Sequence, residues 1–382
     1  MHDLIQSILS SKPIPCSNLN LVRGNGVVVF GAGSGFQTLN AFVLLKFGIK
    51  PLFVIDRKFE SIITEEGTTY LNFDSYRNSY GGTSENYILI ISFGSDKLIQ
   101  IAQSTASDIK FKKIITAFEI FEYHLSYAAV EFVSTRAKIL SENSENILKA
   151  YYSLSDAKSR AIFRSLISFY FRGEKLDIPT DPIATQYFPA DLRIQSFQHF
   201  INCGSFDGDT IRQLQNTIGK VVSLICIEPD TDNFSKLVSY VQRNREQIAD
   251  SIILLPCGLW SSECVLTFGG GSAVNSSISE HGDTVLKMIS LDNVLLSHHA
   301  TYLNMDIEGS ELAALEGAKK FICQNEIEMA IAIYHRPQDL WTILNKVLDI
   351  KPGFTFFIRN YTGRPAETVL YCLTPGHEVR AD

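Results

Sequence analysis

The sequence has no surplus of positive charge: 34 Lys and Arg stand against 41 Asp and Glu over 382 residues, a formal net charge of −7 at pH 7. A protein that grips a phosphate backbone needs the opposite balance, so dedicated nucleic-acid binding is excluded. Long apolar runs are missing too. No stretch reaches the roughly 18 residues that a spanning helix requires, and Met1 to Pro15 lacks a basic segment followed by an apolar core. The expectation is a cytoplasmic chain without membrane insertion. Paired cysteines are also absent. The seven cysteines (Cys16, Cys203, Cys226, Cys257, Cys264, Cys323 and Cys372) are odd in number and scattered, with no C-x-x-C spacing, and read as reduced core thiols. What remains is ordinary globular composition, 45% hydrophobic and 20% charged, in a chain too long for one typical core.

The N-terminal third reads as a small α/β domain. Val27 to Phe30 is a buried-strand pattern, followed by Gly31-Ala32-Gly33-Ser34-Gly35-Phe36 and helical spacing at Leu39, Phe42, Val43 and Leu45. Leu52 to Ile55 is a second strand, ending at Asp56. The interval from Gly31 to Asp56 is close to the dinucleotide fingerprint, in which glycines let the backbone turn and a terminal acid takes ribose hydroxyls. Gly31, Gly33 and Asp56 are therefore candidates for a nucleotide. Phe36 stands where the third glycine belongs and is expected to obstruct close helix-to-strand packing. The other reading is a degenerate domain kept for assembly or substrate docking. From Glu119 to about Lys175 the pattern is helical, with Ile162, Phe163, Leu166, Ile167, Phe169 and Tyr170 at amphipathic spacing. Asp177 to Pro182 then breaks helix twice.

The last half carries the denser chemistry. Phe197 to Ile201 suits a buried strand, Asn202 to Thr210 is a glycine-spaced, acid-rich turn, and helical spacing starts at Ile211, the usual entry to a nucleotide-type pocket. Asn202, Gly204, Ser205, Phe206, Gly208 and Thr210 are the candidate cofactor contacts, with Gly204 and Gly208 letting the backbone approach a ligand closely. Asp207 and Asp209 would repel a pyrophosphate, whereas a ligand with a sulfonium and an ammonium, such as S-adenosylmethionine (SAM), has the opposite requirement. Val221 to Ile227 is the next strand, tipped by Glu228-Pro229, where a carboxylate can accept both hydroxyls of a ribose. Ile252 to Leu255 is a third strand, with Gly258 and Leu259 beside the adenine position and Trp260 either stacking there or in the core. Phe268 to Asp283, rich in glycine and serine, reads as a mobile loop over the pocket or a surface insertion. Val285 to Ile289 is a short strand, and Asp292 and Glu311 read as helix-start acids. In Tyr302 to Glu311 a strand runs into acids, and period-2 geometry places Asp306 and Glu308 on one side of its carboxyl edge. Glu328 to Tyr334 is a further strand, ending at His335. Asp306 and His335 are the candidate general bases, His335 alternatively an orienting group, with Glu308 beside them. Mg²⁺ on Asp306 and Glu308 is the secondary option. Phe354 to Arg359 and Thr368 to Leu373 close the sheet as an antiparallel hairpin.

Taken together, Asn202-x-Gly204-x-x-x-Gly208-Asp209-Thr210, Ile227-Glu228-Pro229, Ser290-Leu291-Asp292 and Met305-Asp306-Ile307-Glu308-Gly309-Ser310-Glu311-Leu312-x-x-Leu315-x-Gly317-Ala318 resemble the FkbM family of methyltransferases over roughly Pro182 to Pro375. The resemblance implies SAM-dependent methylation of a hydroxyl oxygen on a saccharide or a secondary metabolite. Gly204 and Gly208 would cradle SAM, Glu228 would hold its ribose, and Asp306 and Glu308 would lie beside the transferring methyl. Asn202 departs from the acid usual at that position. The expected fold class is α/β: a SAM-methyltransferase-type doubly wound sheet, mostly parallel with a closing antiparallel hairpin, over residues 181–382. It is preceded by a Rossmann-like glycine-loop domain over residues 1–125 and a helical connector over residues 126–180. Expected partners are a small-molecule or glycan acceptor, with a homo-oligomer left open. Two other functions compete: an NAD(P)- or nucleotide-sugar-binding oxidoreductase working through the N-terminal domain, and a non-catalytic assembly protein.

Overall fold

The computed structural model describes residues 21–40, 44–45, 47–93, 96–117, 120, 139, 142–172, 176–269, 277–278 and 284–375. The chain divides into two compact units, one of His2–Glu142 with Ser168–Lys175, the other of Asn143–Ile167 with Leu176–Asp382.

In the N-terminal unit, strands β1 (Gly26–Phe30), β2 (Phe53–Ile55), β3 (Ile63–Glu65), β4 (Thr68–Leu71), β5 (Tyr87–Ile91) and β6 (Lys113–Thr116) form one sheet in the order β3-β4-β2-β1-β5-β6. Every pair is parallel except β3 with β4. Apolar runs such as Val27-Val28-Val29 are continuous because both faces are covered. Val28 packs with Ile55, Leu89 and Ile91, while Val27 and Val29 pack with Ile88 and Ile90 on the other side. Setting aside β3, the order is that of a Rossmann sheet, reversing between β1 and β5 where Gly31 ends β1. Phe36 does not obstruct this packing; it lies half-buried against the cluster of Val27, Val29 and Leu39. The β3–β4 hairpin has no counterpart in the sequence reading. Its turn depends on Glu66 and Gly67 at φ of 48° and 80°.

In the C-terminal unit the main sheet comprises β7 (His199–Cys203), β8 (Val221–Ile227), β9 (Ala249–Leu255), β14 (Tyr302–Met305), β15 (Glu328–Ala332), β16 (Thr355–Asn360) and β17 (Thr368–Leu373), in the order β16-β17-β15-β14-β7-β8-β9. The strands from β15 to β9 are parallel, and β17 runs antiparallel to both β15 and β16. A side sheet of β10 (Gly258–Leu259), β11 (Cys264–Gly269), β12 (Ser277–Ile278) and β13 (Thr284–Ile289) is ordered β10-β13-β11-β12. The expected loop from Phe268 to Asp283 therefore starts and continues as strand; residues 270–276 and 279–283 lie outside the described residues. Helices α1 (Asp209–Thr217) and α2 (Thr231–Ile248) pack Ile211, Leu214, Leu237, Val241 and Ile248 into a core shared with Phe200, Leu224 and Tyr302. Asp230 caps α2 by accepting from Asn233 N at 2.8 Å, satisfying a donor that the helix leaves free. Asp292 lies in the first turn of its own short helix, Leu291–Val294, and its carboxylate also serves another helix. It accepts from Phe321 N at 2.8 Å and Lys320 N at 3.2 Å, in the first turn of the helix Lys319–Gln324.

A buried ionic network fixes the edge of this sheet. Arg359 on β16 is fully buried and donates to Asp156 at 2.7 Å and to Asp191 at 2.8 Å. Burial disfavours the Asp156 charge, but the Arg359 guanidinium outweighs it and holds the carboxyl below its usual range. Asp191 belongs to the segment that precedes β7, so the network tethers that segment to β16. The cysteines among the described residues, Cys203, Cys226, Cys257, Cys264, Cys323 and Cys372, are all free thiols.

Candidate active site

Strand order reverses between β7 and β14, and their carboxyl ends open the crevice where doubly wound sheets bind ligands. On the β7 side, Gly204 and Ser205 donate to Ile227 O at 3.0 and 3.1 Å, Ser205 Oγ donates to Asn202 O at 2.9 Å, and Gly208 N donates to Ser205 O at 2.9 Å. The turn is thus closed by its own bonds. Gly204, Phe206 and Gly208 take φ of 82°, 45° and 91°. Gly204 is needed for a reason other than ligand approach: a Cβ there would lie 1.8 Å from the main-chain oxygen of Asp306. Thr210 is buried in the first turn of α1.

Glu228, at the tip of β8, is buried and accepts from Phe206 N at 2.8 Å through one oxygen and from Asp230 N at 3.0 Å through the other. Burial nevertheless raises its pKa, the two N–H groups only partly compensating. Pro229 and Gly258 lie side by side, and a Cβ on Gly258 would meet Met288 Sδ at 2.7 Å. Leu259 is buried and pairs in the side sheet with Ile289. One of the two acids of the turn has an internal counter-ion. Arg212 pairs with Asp207, and burial raises the pKa of Asp209.

Asn202 on β7 stands directly opposite Asn304 on β14, and residues paired across a ladder share a face. Both side chains are buried, and neither amide has a hydrogen-bond partner among the described residues. Buried amides left unpaired are costly, so such a pair marks a place where a ligand or water belongs.

At the end of β14 the chain turns instead of continuing as strand, so alternation does not position Asp306 and Glu308. Glu308 and Gly309 take left-handed φ of 57° and 89°. The two acids still converge on one histidine: His335 Nε2 lies 3.3 Å from Asp306 Oδ1 and 3.6 Å from Glu308 Oε2. Its Nδ1 lies 3.1 Å from Glu311 Oε1. Glu311, fully buried, is more than a helix-start acid, for it also accepts from Ile307 N at 2.9 Å and Gly309 N at 3.4 Å, folding the turn back on itself. Burial opposes charge on His335, but Glu311 first, then Asp306 and Glu308, overcome it and push its pKa up to about 10. The same coupling pulls Glu311 down against burial. Glu308 goes the other way. Partial burial and the charges of Asp306 and Glu311 outweigh His335 and push its carboxyl up to about 7, although its side chain keeps 46% of its surface exposed.

Asp306, Glu311 and His335 place ligand atoms within 4.8 Å of one another. With an imidazole among its three donors, this set differs from the all-oxygen shell that Mg²⁺ prefers and from the expected pair of Asp306 and Glu308.

Several site residues escape sequence reasoning. Tyr187 OH donates to Asp306 Oδ2 at 2.6 Å and Tyr334 OH to the same oxygen at 3.0 Å. Tyr187 O accepts from Tyr302 OH at 2.6 Å, so Tyr187 links Tyr302 through its main chain to Asp306 through its side chain. Gln186 donates to Glu367 at 2.6 Å and to Tyr187 OH at 3.2 Å. Tyr334 could have been found by its place next to His335. Tyr187, Gln186 and Glu367 offered no local signal. The residues thus form two groups, one around Glu228 and one around His335, joined by the contact of Gly204 with Asp306. Gly31, Gly33 and Asp56 lie in the N-terminal unit.

Residues 202–360 match the family model for the methyltransferase FkbM domain. Among solved structures, the methyltransferase FkbM from Methylobacillus flagellatus KT aligns over 97% of this chain and 97% of its own at 20% identity, with a TM-score of 0.71. Fibrillarin from Aeropyrum pernix, solved with S-adenosyl-L-methionine, covers 47% of this chain and 68% of its own at 11% identity and a TM-score of 0.31. The N-terminal domain of human METTL16, solved with SAH, covers 61% and 91% at 12% identity and a TM-score of 0.28. These last two likenesses are too slight to bear on the fold. No curated protein matches the chain. The segment 202–360, whose motifs gather at the switch between β7 and β14, is thus similar to the methyltransferase FkbM domain.

Proposed function

We propose that the C-terminal unit is a SAM-dependent O-methyltransferase acting on a hydroxyl of a saccharide or a secondary metabolite. SAM, when bound, supplies a methyl group already activated on a sulfonium. The residues present suit it: Glu228 keeps lone pairs beyond its two backbone bonds for ribose hydroxyls, and burial makes those partners valuable. Asn202 offers to a polar end of the ligand a buried amide with both atoms unpaired among the described residues. Gly258 and Pro229 border the position of the base.

At the other end the acceptor oxygen must be aligned and its proton removed. Glu308 is the fitting base, since a pKa near 7 pairs a useful fraction of carboxylate with enough basicity at neutral pH. Asp306 already accepts from two tyrosines, and His335 is held as the cation, which leaves Glu308 the least engaged of the three. His335 instead supplies positive charge beside Glu308, with Glu311 fixing its ring. Tyr187, Tyr334 and Asp306 orient the acceptor. The observation that carries this reading is the packing of Gly204 on the Asp306 carbonyl, which seats the Glu228 group and the His335 group in one crevice.

Calorimetric titration with S-adenosylhomocysteine, followed by product mass spectrometry on a panel of hydroxylated saccharides, tests it. The chain should bind one equivalent, and Glu228→Ala should weaken binding at least about tenfold, about 1.4 kcal/mol. Absence of binding heat together with an indifferent Glu228→Ala variant overturns the reading.

A further inference from the structure

The N-terminal unit repeats, within itself, the grip that surrounds Glu228. Gly204 N donates to Ile227 O at 3.0 Å, and the next residue, Glu228, accepts from the glycine turn at Phe206 N and from Asp230 N two residues on. In the N-terminal sheet Gly31 N donates to Ile55 O at 2.7 Å. The next residue, Asp56, accepts from the glycine turn at Ala32 N (2.7 Å) and from Lys58 N two residues on (3.1 Å). Gly31, like Gly204, is left-handed, at φ 108°. In each unit the acid ends the strand next to the glycine turn, and in each the strand on the other side of that turn lies across the reversal of strand order.

Both donors of the second grip, Ala32 and Lys58, line a cleft of about 320 Å³, together with Phe36, Phe59, Tyr70 and Glu65. Phe59 and Tyr70 have ring centroids 5.5 Å apart and offer apolar faces. Lys58 Nζ donates to Ala32 O at 2.8 Å, which stations a cation at the turn with two further protons to give. Gly31 is required locally, because a Cβ there would lie 2.8 Å from Ser92 Oγ. Gly33 is not: its φ is −86°, and a Cβ would meet nothing within 4 Å. Gly33 is the N-cap of the helix Ser34–Leu39, a position that glycine suits, and among the described residues nothing fills the space beside it, which leaves the turn open to a ligand.

We infer that the N-terminal unit is a second ligand site, one for a ribonucleotide, distinct from the site around Glu228. Asp56 takes the ribose hydroxyls with its remaining lone pairs, Lys58 takes a phosphate, and the rings of Phe59, Tyr70 and Phe36 receive the base. Glu65, exposed at the rim, disfavours phosphate on its side and leaves the Lys58 side as the one for the anion.

The test is calorimetric titration of the full chain, presaturated with S-adenosylhomocysteine, with ADP and with UDP and then with their 2′,3′-dideoxy counterparts. At least one diphosphate should bind at one equivalent, and loss of the ribose hydroxyls should weaken it at least about tenfold. Asp56→Asn and Lys58→Ala should each weaken it similarly, while Glu228→Ala leaves it unchanged. Lys58 is exposed, so its variant stays informative even where Asp56→Asn unsettles the turn. No heat from either diphosphate overturns the inference. So does binding only without S-adenosylhomocysteine, or equal binding of dideoxy ligands with an indifferent Lys58→Ala.

Discussion

At Glu308 a left-handed backbone, an exposed side chain and a raised pKa coincide, and strain held at one residue beside perturbed acids is characteristic of working sites. Glu308→Gln keeps the size and loses the base, and it should lower kcat by about two orders of magnitude or more while cofactor affinity stays the same. The pH profile gives the sharper reading. The base acts when deprotonated, so kcat/KM should rise with pH to a plateau above about 7 and fall again toward 10 as His335 gives up its proton. The variant should lose the limb near 7. A wild-type profile with no inflection there would remove Glu308 from the proton transfer. Gly204 makes a complementary case, because it is glycine for the sake of a protein carbonyl and not of a ligand. A methyl group 1.8 Å from Asp306 O cannot be accommodated without moving one of the two turns.

The element that completes the site is the segment before β7, held by Gln213 on Gln186 O (2.8 Å), by Tyr302 on Tyr187 O and by Arg359 on Asp191. Tyr187→Phe removes one of two hydroxyl donors to Asp306 and leaves the packing intact. It should raise the acceptor KM several-fold, with little change in S-adenosylhomocysteine affinity. An unchanged acceptor KM would make Tyr187 a purely structural residue. This segment also shows where sequence reading stops. The turn from Asn202 to Thr210, Glu228, and the run from Asp306 to His335 were legible because each follows its own strand, and strand ends in an open α/β sheet meet at one edge. Tyr187 and Glu367 reach that edge from outside the ladder, Glu367 from the hairpin turn, so no spacing announces them. Glu311 was read only in part: it does open the helix Glu311–Glu316, and it also pairs with His335, just past the end of β15, which no local rule for acids at helix starts announces. The strand β12 and the end of β11 were hidden because the stretch from Phe268 to Asp283 is rich in glycine and serine, a composition that suits a loop equally well.

Across the molecule, the buried charges of the C-terminal unit set a direction for stability with pH. His335 binds its proton more tightly folded, with a pKa of about 10 against 6.5, so its contribution is complete below 6.5 and is lost as pH rises toward 10. Glu308 and Asp339, each pushed up to about 7 chiefly by burial, also hold protons more tightly when folded, and their ionisation weakens the fold as pH climbs toward 7. Glu311 and Asp156 are lowered, so their contributions fade only toward acid. Thermal unfolding should therefore occur at a lower temperature at pH 9 than at pH 6. His335→Gln should flatten the decline above pH 7, and a wild-type midpoint that rises from pH 6 to 9 would contradict this balance. The close contact of Gly204 with Asp306 has one more implication. On the proposed function, the turn that receives the cofactor and the acid that orients the acceptor cannot shift independently, so occupancy of one place should alter the free energy of filling the other. Such coupling is reciprocal: the factor by which one ligand tightens its companion is the factor by which the companion tightens it, and each dissociation constant becomes a function of the other ligand's concentration.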